Sequence, residues 1–386
     1  MIVKNLINLK KKLKKKNLEL HTPFFQNIDY KYLNEAIKSS FVSTQSGKFL
    51  KYFKNEILRI TKSKYTILLN SGSSAIFLAL RSINLRKNEE VLLPTLNYIA
   101  NANAVKSLNA IPHFIDSDMN NLGIDIQKLK TYLKKSFKVV KKKTVNIKSG
   151  NTVSCLIATH IFGISCNIDE LASLCKKYNI KLIEDASEAL GSKYKKKHLG
   201  TYGEIGILSF NGNKIITSGA GGALMTNNTR IHKKAEHLSQ NAKIKHKWKY
   251  EYDDLGYNIR MPNLNAALGL AQIKKLNKYI ISKKKLFKIY EKIFLKNAMF
   301  KILTPPKDLT WNYWLITILI KSENLKFRNN TIMKLNKKNI NVRPIWQLNH
   351  KISLYKNYPR MNLSNAEKLE KKIINLPSSA HLLLND

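Results

Sequence analysis

From Tyr65 onward, short apolar runs alternate with longer amphipathic ones. Residues 66–70, 90–94, 111–115, 154–159, 181–184 and 205–210 have strand length and are mostly apolar. The stretches from Ser73, near Ala100 and over 168–178 space their apolar residues as helices do. That alternation is the rhythm of βα units and predicts an α/β sheet. Between Lys130 and Val153 it lapses into a basic stretch, Lys141-Lys142-Lys143 followed by Ile147-Lys148-Ser149-Gly150-Asn151, which reads as a surface loop or hairpin. After Pro262 a long helical pattern runs past Leu276 and carries the chain into a second unit. From Pro305 that unit shows an apolar strand at 314–320, a helix around 331–338, a strand ending at Arg343-Pro344 and a terminal helix from Ser364, a small α+β arrangement. The organisation expected is a basic N-terminal arm (1–24), a large domain (25–275) and a small C-terminal domain (276–386).

Charge changes the picture more than composition does. Hydrophobic residues are 44% and charged residues 24%, which suits a chain of 386 residues with ordinary cores. Lys plus Arg number 68 against 25 Asp plus Glu, a net charge of +43, so a polyanion partner has to be weighed. Met1 to Asn17 holds seven of the lysines (4, 10, 11, 12, 14, 15 and 16), and most of the excess remains without them. A global excess in a sequence rich in Asn and Ile, with no RNA or DNA motif, reads as compositional bias rather than nucleic-acid binding. A diffuse positive field would still attract a nucleotide pyrophosphate. Leu6, Ile7, Leu9 and Leu13 make at most a short amphipathic helix, and a solvated arm is the reading adopted for this start, which lacks the apolar core of a secretory signal. The run 314–320 is far short of the roughly 20 residues that span a bilayer, so no transmembrane segment or membrane partner is expected. Cys155, Cys166 and Cys175 form no CxxC pair and are odd in number, which points to a reduced, cytoplasmic protein without a bound metal.

Three short segments carry candidate chemistry. In Asn70-Ser71-Gly72-Ser73-Ser74-Ala75 a strand ends, a glycine permits a tight turn and small hydroxyl residues open a helix, which makes either a phosphate cup or an ordinary serine cap. Ile183-Glu184-Asp185-Ala186 delivers two carboxylates at a strand's C-terminal end, where open α/β sheets bind ligands. A lone strand-end Asp also serves as a cap or a metal ligand. Ser209-Phe210-Asn211-Gly212-Asn213-Lys214 then places a lysine in a turn lacking other charge, before the small-residue run 217–223. Most lysines are solvated surface charges, and this one differs in its setting. The glycines do not form a Walker A loop, and neither a GxSxG elbow nor an HExxH helix is present, which disfavours nucleotide triphosphatases and two hydrolase classes.

These segments in this order, with Phe41-Val42-Ser43-Thr44, Pro94-Thr95-Leu96-Asn97-Tyr98 and Glu184-Asp185-Ala186-Ser187-Glu188-Ala189-Leu190-Gly191, resemble the DegT/StrS family of sugar aminotransferases over most of the chain. The resemblance implies the fold-type-I architecture of aminotransferases that depend on pyridoxal 5'-phosphate (PLP): a large mixed-sheet α/β domain that binds the cofactor and a smaller C-terminal α+β domain. It implies that Lys214 is the Schiff-base lysine and later the base that shuttles the proton, and that Asp185 pairs with the pyridine nitrogen, keeping it protonated. Gly72, Ser73 and Ser209, with Ser74, match the family's phosphate contacts, and Tyr98 matches the aromatic that stacks over the cofactor. Glu188 stands where many relatives have Gln, and an ionised carboxylate cannot donate to the cofactor's phenolic oxygen, so it must be protonated, rotated away or bonded elsewhere. In Gly256-Tyr257-Asn258-Ile259-Arg260-Met261-Pro262, Asn258 matches a residue that reaches the phosphate of the neighbouring subunit, which implies a homodimer. His350 falls where relatives place a substrate-side histidine.

The segments Lys148-Ser149-Gly150-Asn151, Thr159-His160-Ile161-Phe162-Gly163 and Arg343-Pro344-Ile345-Trp346 resemble those of aminotransferases acting on UDP-linked 4-keto-6-deoxy-N-acetylhexosamines, of the bacillosamine and legionaminic-acid type. The expected reaction moves an amino group from an amino acid such as L-glutamate to the 4-keto carbon of a nucleotide-linked deoxysugar, for surface-polysaccharide (including lipopolysaccharide) or nonulosonic-acid synthesis. GDP-4-keto-6-deoxymannose, the perosamine synthase substrate, is the alternative. Relatives that dehydrate deoxysugars replace the lysine with His, so Lys214 argues against that chemistry. A non-catalytic polyanion-binding or regulatory protein is the alternative of another class.

Overall fold

The computed structural model describes residues 2–43 and 47–384. The landmark at positions 41–44 ends on Thr44, which lies outside the described residues. Helix α1 (Ile2–Lys12) opens the chain, and its Ile2, Leu6 and Leu9 form one buried stripe. The start is therefore not the solvated arm expected from its lysines: the i, i+4, i+7 apolar positions outweigh them by packing on the C-terminal part of the chain. Leu18 continues that attachment through a parallel bridge to Ile340. Two helices follow, α2 (Asn27–Lys38) and α3 (Lys48–Thr61).

The central sheet then builds through β1 (Tyr65–Leu69), α4 (Gly72–Ser82), β2 (Glu90–Pro94), α5 (Ala100–Ser107), β3 (Ile111–Ile115) and α6 (Ile126–Ser136). The basic stretch forms a hairpin of β4 (Phe137–Val140) and β5 (Lys143–Asn146), turning at Lys141 and Lys142, both with positive φ. It joins the sheet because β5 pairs with the start of β6 (Thr152–Thr159). Next come α7 (Ile168–Lys177), β7 (Lys181–Asp185), the two-residue strands β8 (Lys193–Tyr194) and β9 (Lys197–His198), then β10 (Ile205–Ser209), β11 (Gly222–Thr226) and α8 (Thr229–Leu238). The central sheet runs β1-β11-β10-β7-β6-β2-β3, with β11 antiparallel to both neighbours and the strands from β10 to β3 parallel. Its parallel strands are near-continuous apolar runs because helices cover both faces.

The long helical pattern after Pro262 resolves into α9 (Asn263–Ile273) and α10 (Leu276–Phe294), parted at Lys274 and Lys275. Helix α9 packs so closely on α3 that a Cβ at Gly269 would lie 2.6 Å from the Phe53 ring. A second sheet, β12 (Phe300–Ile302), β14 (Thr317–Ile320) and β15 (Ile373–Asn375), carries α11 (Leu325–Asn336) and α12 (Ser364–Lys372), while β13 (Leu309–Thr310) pairs back to β8. The expected strand at 314–320 begins only at Thr317, because Trp314 to Ile316 are drawn toward Asn312 and Ser378 by hydrogen bonds. The strand expected to end at Arg343 is a single bridge to Asn375, and α11 begins six residues before the expected Thr331.

Candidate active site

Because β6, β7 and β10 run parallel, their C-terminal ends bring Thr159, Asp185 and Ser209 to one rim of the sheet. There they line a cavity of about 640 Å³ together with Gly72, Ser73, Asn97, Tyr98, Glu188 and Lys214. The C-terminal part of the chain closes its far wall with Trp314, Arg343, Trp346 and Asn375.

Successive residues of a strand point to opposite faces, and this separates the two carboxylates of β7. Glu184 faces inward: His160 Nε2 lies 2.9 Å from it, and the amides of Gly200, Tyr202 and Gly203 donate to it at 2.8, 2.5 and 2.6 Å. Burial alone would push its carboxyl up, but the His160 contact and the Gly203 and Gly200 amides outweigh that and hold it below the ordinary value. Asp185 faces the cavity, accepting from Asn101 Nδ2 at 2.7 Å and from the Ser187 amide at 3.1 Å. The Asn101 amide also reaches Thr159, so α5 and β6 together fix the angle of Asp185.

Lys214 sits in the turn after β10, its amide bonded to the Asn211 carbonyl. Its Nζ lies 3.3 Å from Glu188 Oε1 and 4.2 Å from the centroid of the Trp314 ring. Trp314 in turn donates its indole N–H to the Asn213 carbonyl at 2.8 Å, so the C-terminal unit grips the residue next to the lysine. Behind it, Lys283 is fully buried and donates to the Trp314 and Ser378 carbonyls, and burial lowers its pKa well below the ordinary lysine value. Glu188 takes the third of the options open to it: its second oxygen accepts the Phe162 amide at 2.8 Å while the first faces Lys214. Burial raises its pKa, against the opposing pull of Lys214.

At the other side, Ser71 caps α4 by accepting the Ser74 amide at 3.0 Å. The first turn of α4 presses on the end of β10 so tightly that a Cβ at Gly72 would lie 2.9 Å from the Ser209 Cβ, so glycine is what lets this turn sit there. Tyr98 is 56% exposed and meets Trp346 edge-on at 6.1 Å, leaving a face free at the cavity.

Three residues singled out from the sequence do not reach this cavity. Ser74 spends its hydroxyl on Asn70 Oδ1 at 2.7 Å and borders a neighbouring cleft with Phe77 and Tyr257. His350 is buried between Thr95 Oγ1, 2.7 Å from its Nδ1, and Glu367, 3.3 Å from its Nε2, so it braces the loop after β2 and does not line this cavity. Asn258 is exposed on the segment before α9, outside the cavity of its own chain. Conversely, Trp314, which lines this cavity, and Asn101, which donates to Asp185, were not singled out from the sequence. Asn101 sits on a helix with no motif of its own, and Trp314 is hidden in an apolar run.

The donor set fits pyridoxal phosphate. A helix N-terminus beside a serine hydroxyl suits the phosphate, an oriented carboxylate suits the ring nitrogen and a primary amine suits the aldehyde carbon. Two buried polar atoms at this end have no partner among the described residues, Asn97 Nδ2 and Asn101 Oδ1. Among the described residues no group of three or more His, Cys, Asp or Glu could hold a metal ion, and no helix is long and apolar enough to cross a membrane.

Comparison with known proteins agrees with this geometry. The model of the DegT/DnrJ/EryC1/StrS aminotransferase family matches residues 25–386. GDP-perosamine synthase of Escherichia coli O157:H7 is 31% identical over 366 residues, covering 94% of this chain and 93% of that protein. UDP-4-amino-4,6-dideoxy-N-acetyl-beta-L-altrosamine transaminase of Campylobacter jejuni subsp. jejuni serotype O:23/36 (strain 81-176) is 30% identical over 366 residues, covering 94% and 93%. The solved structure of Helicobacter pylori PseC, an aminotransferase involved in the biosynthesis of pseudoaminic acid, superposes with a TM-score of 0.85 at 24% identity, covering 95% of this chain and 94% of that one.

Proposed function

The chain belongs to the DegT/DnrJ/EryC1/StrS aminotransferase family, a family of PLP-dependent sugar aminotransferases, and from that premise we propose the reaction and the residues that carry it. The amino group of an amino acid, L-glutamate in this reading, passes to the 4-keto carbon of a nucleotide-linked 6-deoxysugar. UDP-2-acetamido-2,6-dideoxy-4-keto-hexose is the first substrate proposed, on the three segments quoted above. GDP-4-keto-6-deoxymannose is the second, because relatives of both kinds match over nearly the whole chain. The observation that carries the reading is Lys214 and Asp185 facing one cavity from adjacent strands.

Bound there, pyridoxal phosphate supplies an electron sink that allows a proton to leave the carbon bearing the amino group. Gly72, Ser73 and Ser209 would hold its phosphate and Tyr98 would cover its ring. Asp185, oriented by Asn101, would hold a proton on the ring nitrogen. Lys214 is the attachment point and the group that carries a proton at Nζ, with Glu188 3.3 Å away to take or return it. Arg343 lines the cavity on its exposed side and forms no salt bridge among the described residues, so its planar fork suits a nucleotide diphosphate.

Asn258 would serve the cavity of a second copy in a homodimer. Supporting that, Trp248, Tyr250, Tyr252 and Leu255 on the same segment are 57–75% exposed, an apolar area suited to self-association. We further propose that residues 25–275 hold the cofactor and 276–386 close over the substrate, and that the protein works in the cytoplasm, where its three buried thiols stay reduced.

The test is direct. Purified protein given the cofactor should be yellow, and borohydride should fix the cofactor to the peptide carrying Lys214; a colourless, unlabelled protein overturns the reading. Incubation with glutamate and UDP-, GDP- and dTDP-linked 4-keto sugars, read by mass, should give a gain of amine on one of them. No turnover of any would favour the polyanion-binding alternative.

A further inference from the structure

The family match begins at residue 25, so α1 and the chain after it up to residue 24 precede the matched residues. Their apolar side is consumed by packing, with Ile2, Leu6, Leu9 and Leu18 all buried. What is left outward is charge: Lys10, Lys11, Lys12, Lys14, Lys15 and Lys16 at the end of α1. Lys10 reaches across to the Lys338 carbonyl at 2.8 Å, which brings the exposed Lys334 of α11 and Lys337 and Lys338 just after it into the same surface. None of these nine lysines forms a salt bridge among the described residues. Neither α1 nor α11 contains an acidic residue, and Glu19, alone among residues 1–24, is turned to Asn341.

We infer that this α1–α11 surface is a docking site for an anionic lipid bilayer. A second copy of a chain carrying +43 is repelled by such a patch. The surface exposes no arginine to grip a phosphodiester and no aromatic ring to stack a base: Arg328 is buried against the Glu370 carbonyl and Phe327 is half-buried. A dense field of lysine point charges instead suits a layer of anionic headgroups. Met333, 53% exposed and next to Lys334 on α11, adds a short apolar contact at that boundary. Because the apolar stripe of α1 is already buried, attachment is peripheral, reversible and salt-sensitive, without insertion of a helix.

The hairpin provides a matched control, since α6, β4 and their turn present Lys134, Lys135, Lys138, Lys141, Lys142 and Lys143, six further exposed lysines. The full chain is floated with vesicles of phosphatidylcholine alone or with about 30% phosphatidylserine. It should rise with the anionic vesicles only, and binding should fall at least about tenfold between about 0.1 and about 0.5 M salt. Changing lysines 10, 11, 12, 14, 15 and 16 to Gln should weaken binding at least about tenfold, changing them to Arg should preserve it, and the six hairpin Lys→Gln changes should cost less than about twofold. Melting curves of all variants check that α1 stays packed. No flotation overturns the proposal, as does equal loss from the two Gln variants, and so does displacement by a single- or double-stranded oligonucleotide at a lower phosphate concentration than the vesicles supply.

Discussion

At the start of β2, Glu90 is enclosed by donors from within the chain. His113 Nδ1 lies 2.8 Å from it, the Asn146 amide reaches both its oxygens at 3.0 Å, and Ser149 donates at 2.7 Å. His113 is itself held by Tyr132 at 2.8 Å, so α6, β3 and the hairpin all converge on one carboxylate. At the opposite rim of the same sheet, Asp185 receives two donors, and Asn101 beside it and Asn97 in the same cavity wall keep polar atoms without a partner among the described residues. A network closed by its own chain holds a fold together, while one left with spare donors and acceptors has capacity for a ligand. The contrast also gives the basic stretch, read from the sequence as a surface loop or hairpin, a structural part: Asn146 of β5 and Ser149 just after it complete the closed end.

Substitutions at the two rims should therefore fail in different ways. Lys214→Ala should cost the largest factor, at least about a thousandfold in turnover, and should abolish borohydride labelling while leaving the melting temperature nearly unchanged. Glu90→Ala should do the reverse, destabilising the fold by about 3 kcal/mol in a urea titration through the buried partners it strands, with kcat kept within about threefold in the fraction still folded. Asp185→Asn should fall roughly a hundredfold in turnover by removing the charge intended for the ring nitrogen; an unchanged rate would dissolve the distinction drawn between the rims. Glu188→Gln should be mildest, within about tenfold, because the Phe162 amide can still be met by the side-chain carbonyl.

Acid probes the closed networks together. Burial opposes ionisation of Glu90, but His113, Asn146 and Ser149 outweigh it and depress its pKa, as His160 and the backbone amides do for Glu184. A depressed carboxylate contributes stability that is present above its unfolded value, about 4.3, and lost as pH falls through the folded one. Stability from these two groups should thus be level above about pH 5 and decline below about pH 4.3, a loss that Glu90→Gln should reduce in acid titrations followed by circular dichroism.

The strands were legible in the sequence because a parallel sheet covered on both faces leaves continuous apolar runs; Asp185 was legible because it ends one, and Lys214 through its uncharged turn and the family resemblance. Residues fixed by partners far along the chain were not. His350 was expected on the substrate side, but its Nδ1 lies 2.7 Å from Thr95, 255 positions away, outside the cavity. Ser74 looked like Ser73 until the helix turned its hydroxyl to Asn70. The lysines of the first helix hid an apolar stripe whose partner, α11, lies more than 300 residues later. Trp314 was read as strand interior, and only the position of β14 shows that it stops short of the sheet.

That tryptophan gives the molecule an optical gauge. Its indole lies 4.2 Å from the amine proposed to carry the cofactor, well inside the range over which a ring absorbing near the indole's emission band would accept its excitation. Its emission should dim as the site is loaded, and brighten if the C-terminal wall swings away from the lysine turn. Occupancy and opening could then be read in real time from a fluorophore already in the chain, with no label attached.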